Sequence, residues 1–462
     1  MQVTVGNQLR IENPSEQLLK WCKKQLILPN PEYAKKVRMH FWVGNTPEKL
    51  HLFQWDGDTL VLPYGCLNDV LAMDDCHMKA NLPTPTEVDF GCTIPLYDYQ
   101  VKAKEALITA YYGILQAPAG CGKTQIGIAV AADTGRRTLW LTHTRDLLVQ
   151  SKSRAEQYMS PSLTGTITEG RVQIGKAITF ATVQTMCNLD LSQYRDVWDC
   201  IIVDECHRVA GTPTAMTQFS KVLNALAARH KYGLSATVHR ADGMIAATYA
   251  LLGGIAYQVP DEAVKGKIMT VSVLPRATHI GLDREFLDTD GTIIYAKLVN
   301  YLAEDFRRNC QIVGDLMLND QHFNLILSDR LGHLEYLMNH LPPELRKQAV
   351  MIDGRMTTKK AKALREQAIE EMRQGRKRYL FATYSLAKEG LDIPRLDRLY
   401  LTTPQKDYAV ITQSIGRIAR TFEGKGEPIA YDYVDDGIQY LVRSYKKRCT
   451  TYRKAGCKFL EP

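Results

Sequence analysis

The sequence predicts an α/β protein with two parallel sheets in tandem, preceded by a small β-rich module. Three observations predict it. Two series of short runs, apolar on both faces, alternate with helical patterns, as strands buried between helices do. One of these runs leads straight into a glycine-rich turn and then a helix. Residues 1–92 differ from both series and carry aromatic, strand-like runs separated by turn signals.

In the front segment, HFWVG, KLHLFQW and TLVLPYG read as strands, with Asp56-Gly57 as a turn between the last two. The aromatics Trp21, Phe41, Trp42, Phe53 and Trp55 suit the core of a small β module. Lys35, Lys36 and Arg38, however, interleave with Phe41 and Trp42, a pattern that equally suits backbone contact and stacking on unpaired bases. NLPTPTEVDFGCTIP, with its prolines, then reads as a linker.

The first sheet is expected within residues 93–260, from YGILQAP, RTLWLTH, AITFAT, CIIVDE and YGLSAT. Its first strand opens into APAGCGKT. There Ala119, Gly120, Cys121 and Gly122 would turn their N–H groups onto a phosphate, and the following helix adds its positive end. Lys123 would reach the β- and γ-phosphates, and the Thr124 hydroxyl would hold Mg²⁺. Ala117 stands where this loop usually starts with glycine. CIIVDECH supplies the matching acids: Asp204 for the metal, Glu205 to orient or deprotonate the attacking water. A connecting segment, 261–284, shows no readable motif.

The second sheet is expected within 285–440, from NLILSD, AVMIDG, RYLFAT, RLYLTTP and PIAYDYV. In QSIGRIAR, Arg417 and Arg420 stand three residues apart, which predicts one face of one helix, with Gln413 beside them. Residues 441–462 form a basic end with no acid before Glu461, either a solvated face or a contact for nucleic-acid phosphates.

Composition fits this plan. The chain has 462 residues, enough for two or three domains, and is 45% apolar. A net charge of +8 suits a polyanionic partner. Eleven scattered cysteines with no CxxC argue for free thiols, not disulfides or zinc. No apolar run approaches a membrane span and the start lacks a signal-peptide pattern, so a cytoplasmic protein with no membrane partner is expected.

GKT, DECH and LSAT in this order resemble the superfamily 2 DExH-box helicases, and the resemblance covers about 95–435. It implies two RecA-like domains, ATP and Mg²⁺ as cofactors, and DNA as partner. TIPLYDYQ resembles the entry motif, which implies Tyr97 and Gln100 at the adenine. LTHTRDL and ATVQT resemble motifs that place Thr144, Arg145, Thr182 and Gln184 on the nucleic-acid backbone. His207, Ser235 and Thr237 then link the ATP site to the strand. TVHRADG resembles the XPB-like and phage branches, with Arg240 near DNA and Val238-His239 where Thr-Pro is frequent. LILSDR and MIDGR resemble motifs that place Ser328 and Arg330 near DNA. ATYSLAKEGLDIP implies Thr383 and Tyr384 near the strand, and Gly390 and Asp392 near the nucleotide. Motif VI makes Arg417 and Arg420 arginine fingers across a cleft. The front segment resembles that of phage-encoded helicases related to XPB, UvsW and RecG. This implies branch migration of forked or four-way DNA in replication, recombination or repair, alongside replication or recombination proteins. An RNA helicase and a duplex translocase of a restriction or defence complex are the competing readings.

Overall fold

The computed structural model describes residues 1–461 except 74, 119, 211–212, 237–242, 265, 267, 282–292, 355–358 and 389–390. The chain forms two compact units, one of Met1–Pro118 and Gly122–Ala263, the other of Ala119–Cys121 and Val264–Pro462.

The first unit is built on an eight-stranded sheet. Its order is Arg171–Gln173, Thr164–Thr168, Ile178–Thr182, Thr138–Thr142, Cys200–Asp204, His230–Ser235, Tyr112–Gln116, Ile255–Gln258. Every pairing is parallel except that of the first two strands. The five strands expected from sequence are its contiguous centre, where both faces are covered and apolar side chains run unbroken. The three that sequence reasoning missed lie at the edges. Thr164–Thr168 is mostly threonine and glycine, and Arg171–Gln173 and Ile255–Gln258 are largely exposed, so neither presents an apolar run.

The front residues belong to this same unit. Their five-stranded sheet runs Gln54–Asp56, Thr59–Pro63, Gln8–Glu12, Gln2–Val5, His77–Ala80. TLVLPYG and part of KLHLFQW are strands as expected. HFWVG is not: it follows helix Pro31–Arg38, and a left-handed His40 ends that helix's turn. The module's core, with Leu9, Leu18, Leu60 and Tyr64, continues into Tyr112 and Ala250 of the large sheet's layer. The joint is close. A Cβ on Gly65 would lie 2.3 Å from Gly253 N and 2.4 Å from Tyr249 O, which only glycine avoids. Lys231, fully buried, donates to Leu223 O at 2.9 Å and to Asn7 O at 3.2 Å, with the Tyr64 ring beneath it.

The second unit holds a seven-stranded, all-parallel sheet. Its order is Ala349–Ile352, Tyr379–Thr383, Asn324–Ser328, Arg398–Leu401, Ile429–Val434, Ser272–Ala277, Lys458–Phe459. Its first strand thus begins at Ser272, inside the segment that carried no readable motif. Pro275 hid it. That residue lies beyond the short stretch paired with Lys458–Phe459, so its missing N–H leaves no ladder bond unmade on that side. The basic end is folded into the sheet's layer, not loose. Helix Gln439–Lys454 buries Arg448 in a bidentate pair with Asp432, both contacts 2.8 Å, and the Tyr452 hydroxyl donates to the same carboxylate at 2.6 Å.

Because the atoms facing Gly65 are backbone, they cannot rotate away. Gly65→Ala is expected to lower stability by about 1–3 kcal/mol or more, read as a fall in the midpoint of chemical denaturation.

Candidate nucleotide and nucleic-acid site

Three neighbouring strands of the first sheet end together. Register aligns Asp204 with Leu234, and Ser235 with Gln116, so the phosphate loop, the acid pair and Ser235 open from one edge. That edge is the carboxyl end, where open parallel sheets bind ligands.

Gly122 adopts φ +79° and caps helix Lys123–Thr134. A Cβ there would meet Gln100 Nε2 and Gln125 Oε1, each at 2.5 Å, so the loop's last turn admits glycine alone. Gln100 is buried, and its Oε1 accepts from Tyr97 N–H at 2.9 Å. Sequence expectation put Gln100 at the adenine; here it also braces the phosphate loop. Tyr97 is exposed and stacks on Tyr99. Cys121 is buried, while Lys123 and Thr124 are half-buried at the helix start. Ala119, Thr237, Arg240 and Gly390 lie outside the described residues.

Asp204 is 5% exposed. Its carboxylate accepts from Glu205 N–H at 3.0 Å and from the Ser151 hydroxyl at 3.2 Å. Burial above all, and then the Glu205 charge, push its carboxyl up to about 7, against the pull of Lys123. Ser151, on helix Arg145–Ala155, was not foreseen; it follows no motif, and only the fold brings it to Asp204. Glu205 takes a left-handed φ of 48°, which turns the chain sharply after the strand. His207 follows, buried, with Nδ1 3.1 Å from Ser235 Oγ and 3.3 Å from Glu205 Oε2. One ring nitrogen of His207 is therefore hydrogen-bonded to Ser235 and lies close to the Glu205 carboxylate.

The expected nucleic-acid contacts divide. Thr144 caps helix Arg145–Ala155, and Arg145 pairs with Glu169 at 2.9 Å. Thr182 is buried on Thr185 Oγ1 at 2.9 Å. Gln184 donates to His143 O at 2.8 Å and so ties the two strand-contact loops together.

In the second unit, Thr383 is partly exposed and bonded to Ser385, and Arg330 is half-buried, reaching Asn300 Oδ1 at 2.5 Å. Two expected contacts are corrected. Tyr384 is 2% exposed, its hydroxyl donating to Thr403 O at 2.8 Å, so its ring is core. Ser328 is fully buried and occupied by Arg330 N–H and by His333 Nδ1. Ser328 ends an interior strand, and Tyr384 opens the helix that follows another, so both side chains face the core.

The motif VI expectation is corrected in its geometry. Helix Tyr408–Ile418 ends before Arg420, so helical spacing does not align the arginines. They converge nevertheless. Arg417 donates to Ala387 O at 2.9 Å and Leu391 O at 3.2 Å, and Arg420 pairs with Asp392. Gln413 is buried in the same helix.

A glycine-rich loop beside Asp204 and Glu205, on one of two parallel-sheet units, is the arrangement of tandem-domain nucleoside triphosphatases. Residues 93–240 match the family described as type III restriction enzyme, res subunit, and residues 308–422 match the helicase conserved C-terminal domain. The chain belongs to the superfamily 2 helicases, ATP-dependent helicases or translocases. A putative ATP-dependent RNA helicase L396 of Acanthamoeba polyphaga mimivirus is 25% identical over 436 residues, 92% of this chain and 78% of that protein. The DNA 3'-5' translocase XPB2 of Sulfurisphaera tokodaii is 24% identical over 374 residues, 74% of this chain and 81% of that protein. The solved structure of S. cerevisiae Dbp5 bound to RNA and ADP BeF3 has the same fold, with TM-score 0.52 and 16% identity, over 80% of this chain and 94% of that one. The fold is thus two RecA-like domains in tandem. No helix among the described residues is long and apolar enough to cross a membrane.

Helicases of this family use ATP with a divalent metal. The residues here suit Mg²⁺: one buried carboxylate with hydroxyls near it, and no cluster of three His, Cys, Asp or Glu among the described residues. Mg²⁺ typically takes one or two carboxylates plus the substrate's phosphates.

The sign of the Asp204 shift gives a test. A carboxyl raised by the fold holds its proton more tightly folded than unfolded. Ionised Asp204 therefore costs stability as pH rises from about 4, its unfolded value, and the cost is complete above about 7. In nucleotide-free protein, Asp204→Asn is expected to raise the melting temperature at pH 8 and to leave it nearly unchanged at pH 4. A lower melting temperature at pH 8 would contradict the assigned burial cost.

Proposed function

We propose that this protein is a DNA helicase that uses ATP to unwind or branch-migrate forked and four-way junctions. The observation that carries the reading is the approach of one His207 ring nitrogen to both Glu205 and Ser235, beside a glycine-rich loop that opens into helix Lys123–Thr134. A binding protein with a relic nucleotide site has no need of that arrangement.

In this reading Lys123 and the loop N–H groups hold the β- and γ-phosphates of ATP, and Asp204 and Thr124 hold Mg²⁺. The metal supplies charge neutralisation at the phosphates when bound. Glu205 orients the attacking water. Arg417 and Arg420 offset the charge that develops on the transferring phosphoryl group. His207, Ser235 and Thr237 pass the change at the γ-phosphate to the loops of Thr144, Arg145, Thr182 and Gln184, which meet the strand with Arg330 and Thr383. Contacts of this kind go to phosphates, so binding is sequence-tolerant and weakens steeply with salt.

DNA is preferred over RNA because the archaeal relative is named a DNA translocase and the front module presents a stacking surface. Phe41 and Trp42 are 60% and 87% exposed, with Lys35, Arg38 and His40 also exposed beside them. They are not module core. A hydrophobic pair in a basic setting suits the unpaired bases at a branch point. The mimivirus relative keeps an RNA duplex in the test.

The decisive assay compares ATP-dependent remodelling of a tailed DNA duplex, a fork, a mobile four-way junction and an RNA duplex. Faster processing of fork and junction is expected, and Lys123→Ala should abolish turnover. DNA-stimulated turnover without strand products would favour a duplex translocase, and activity on RNA alone would overturn the DNA reading. Joint Phe41→Ala and Trp42→Ala substitution should weaken fork binding by roughly 30-fold or more, at about 1–3 kcal/mol per stacked base, while basal ATP turnover without DNA stays constant.

A further inference from the structure

Arg420 lies beyond the end of its helix, so something other than helical geometry must hold it in place. Lys425 folds back onto this loop. Its Nζ lies 2.7 Å from Ile418 O, 2.7 Å from Arg420 O and 3.1 Å from Pro394 O. An ammonium has three protons, and here each one meets a carbonyl. Among the described residues no carboxylate forms an ion pair with it.

The identity of the three carbonyls matters. Ile418 is the last residue of the helix that carries Gln413 and Arg417. Arg420 is the second arginine itself. Pro394 closes the segment whose Leu391 carbonyl receives Arg417 and whose Asp392 carboxylate receives Arg420. One ammonium therefore ties the backbone carrying the arginines to the backbone carrying their acceptors. A helix end leaves carbonyls without partners, and these would otherwise turn toward water. Two further contacts fix the same loop: Ala419 O accepts from Met269 N–H at 2.8 Å, and the Arg395 guanidinium lies 4.5 Å over the Phe422 ring.

We propose that Lys425 is a positioning residue for ATP hydrolysis, setting the place from which Arg420 and Arg417 are delivered to the transferring phosphoryl group. The inference rests on the reading of Arg420 as the charge-stabilising arginine. A guanidinium acts there only at hydrogen-bond distance, and a misplacement of about 1 Å costs on the order of 10²-fold in rate. A lysine that merely stabilised the fold would change the melting temperature and leave turnover per folded molecule intact. A positioning lysine lowers kcat and leaves the KM for ATP where it was, since ATP is held mainly by the phosphate loop.

The test measures kcat, KM for ATP and melting temperature of the full chain with saturating tailed duplex DNA. It compares the wild type with Lys425→Met, Lys425→Arg and Arg420→Ala. Arg420→Ala is expected to lower kcat by about 10³-fold or more. Lys425→Met should lower kcat by roughly 30–100-fold with KM within about twofold, and Lys425→Arg, which keeps charge and donors, should recover most of it. If Lys425→Met melts below the assay temperature, Lys425→Gln replaces it with the same expectation. The inference is overturned if Arg420→Ala is inactive while the neutral Lys425 variants turn over normally. It is equally overturned if Lys425→Arg recovers nothing, or if the change falls on KM alone. Full turnover in Arg420→Ala would instead remove the arginine reading on which it rests.

Discussion

The first unit depends on a carboxylate that the fold disfavours. Asp204 sits at the end of the sheet's central strand, almost without solvent, beside Glu205, and its carboxyl is held near neutrality. The sheet supplies two partial remedies: the Ser151 hydroxyl and the Glu205 N–H. Neither carries full positive charge, and Lys123 acts from the neighbouring loop. Such a site is incomplete as protein alone. A divalent cation would supply the positive charge it lacks, so binding one would relieve a cost that is already built in. The sharp left-handed turn at Glu205 belongs to the same economy of space, because it brings His207 back onto Ser235 within two residues.

The strand that ends in Ser235 also explains why the front module belongs to this unit. Its second residue, Lys231, is buried and donates to the backbone of the front module at Asn7, while its last residue bonds the imidazole next to the acid pair. Gly65, pressed on the backbone at Gly253, closes the same joint. Removing either contact would expose buried polar groups or force backbone apart, so the module and the sheet move as one body. The exposed pair Phe41 and Trp42 thus belongs to the same compact unit as the glycine-rich loop's helix, Asp204 and Glu205.

Much of this was legible in sequence, and the exceptions share causes. Strands buried on both faces declare themselves as apolar runs, and all ten expected in the two sheets are present. The edge strands Arg171–Gln173 and Ile255–Gln258 are largely exposed and carry no such signal, and Thr164–Thr168, inside the first of them, is mostly threonine. Ser272–Ala277 was masked by a proline that pairing with only two residues of its outer neighbour makes tolerable. Lys123 and Thr124 open a helix directly after the glycine-rich turn, as their local spacing suggests. Ser151 reaches its partner across 53 positions, and no local pattern encodes that distance. Tyr384 and Ser328 failed for the opposite reason: a motif fixes a position in the sequence, but the side chain's direction is set by the strand or helix that holds it and by what lies beneath it.

The two arginines are drawn together by something other than the helix that their spacing suggests. Three-residue spacing suggests one helix face, yet the helix stops at Ile418 and Arg420 belongs to the loop. Convergence comes instead from acceptors: the carbonyls of Ala387 and Leu391 for one guanidinium and the Asp392 carboxylate for the other. A loop arrangement has a consequence that a helical one lacks. A helix would fix the two groups to each other but leave their aim to the whole element. Here the arginine-bearing backbone is tied, through Lys425, to the segment that also supplies those acceptors. In the proposed mechanism, Arg417 and Arg420 would exchange contacts with Asp392 and its neighbours for contacts with the transferring phosphoryl group, and the loop would not need to rebuild to allow it. The preorganisation lies in the carbonyl cage around one ammonium, which leaves the guanidinium groups themselves able to change partners.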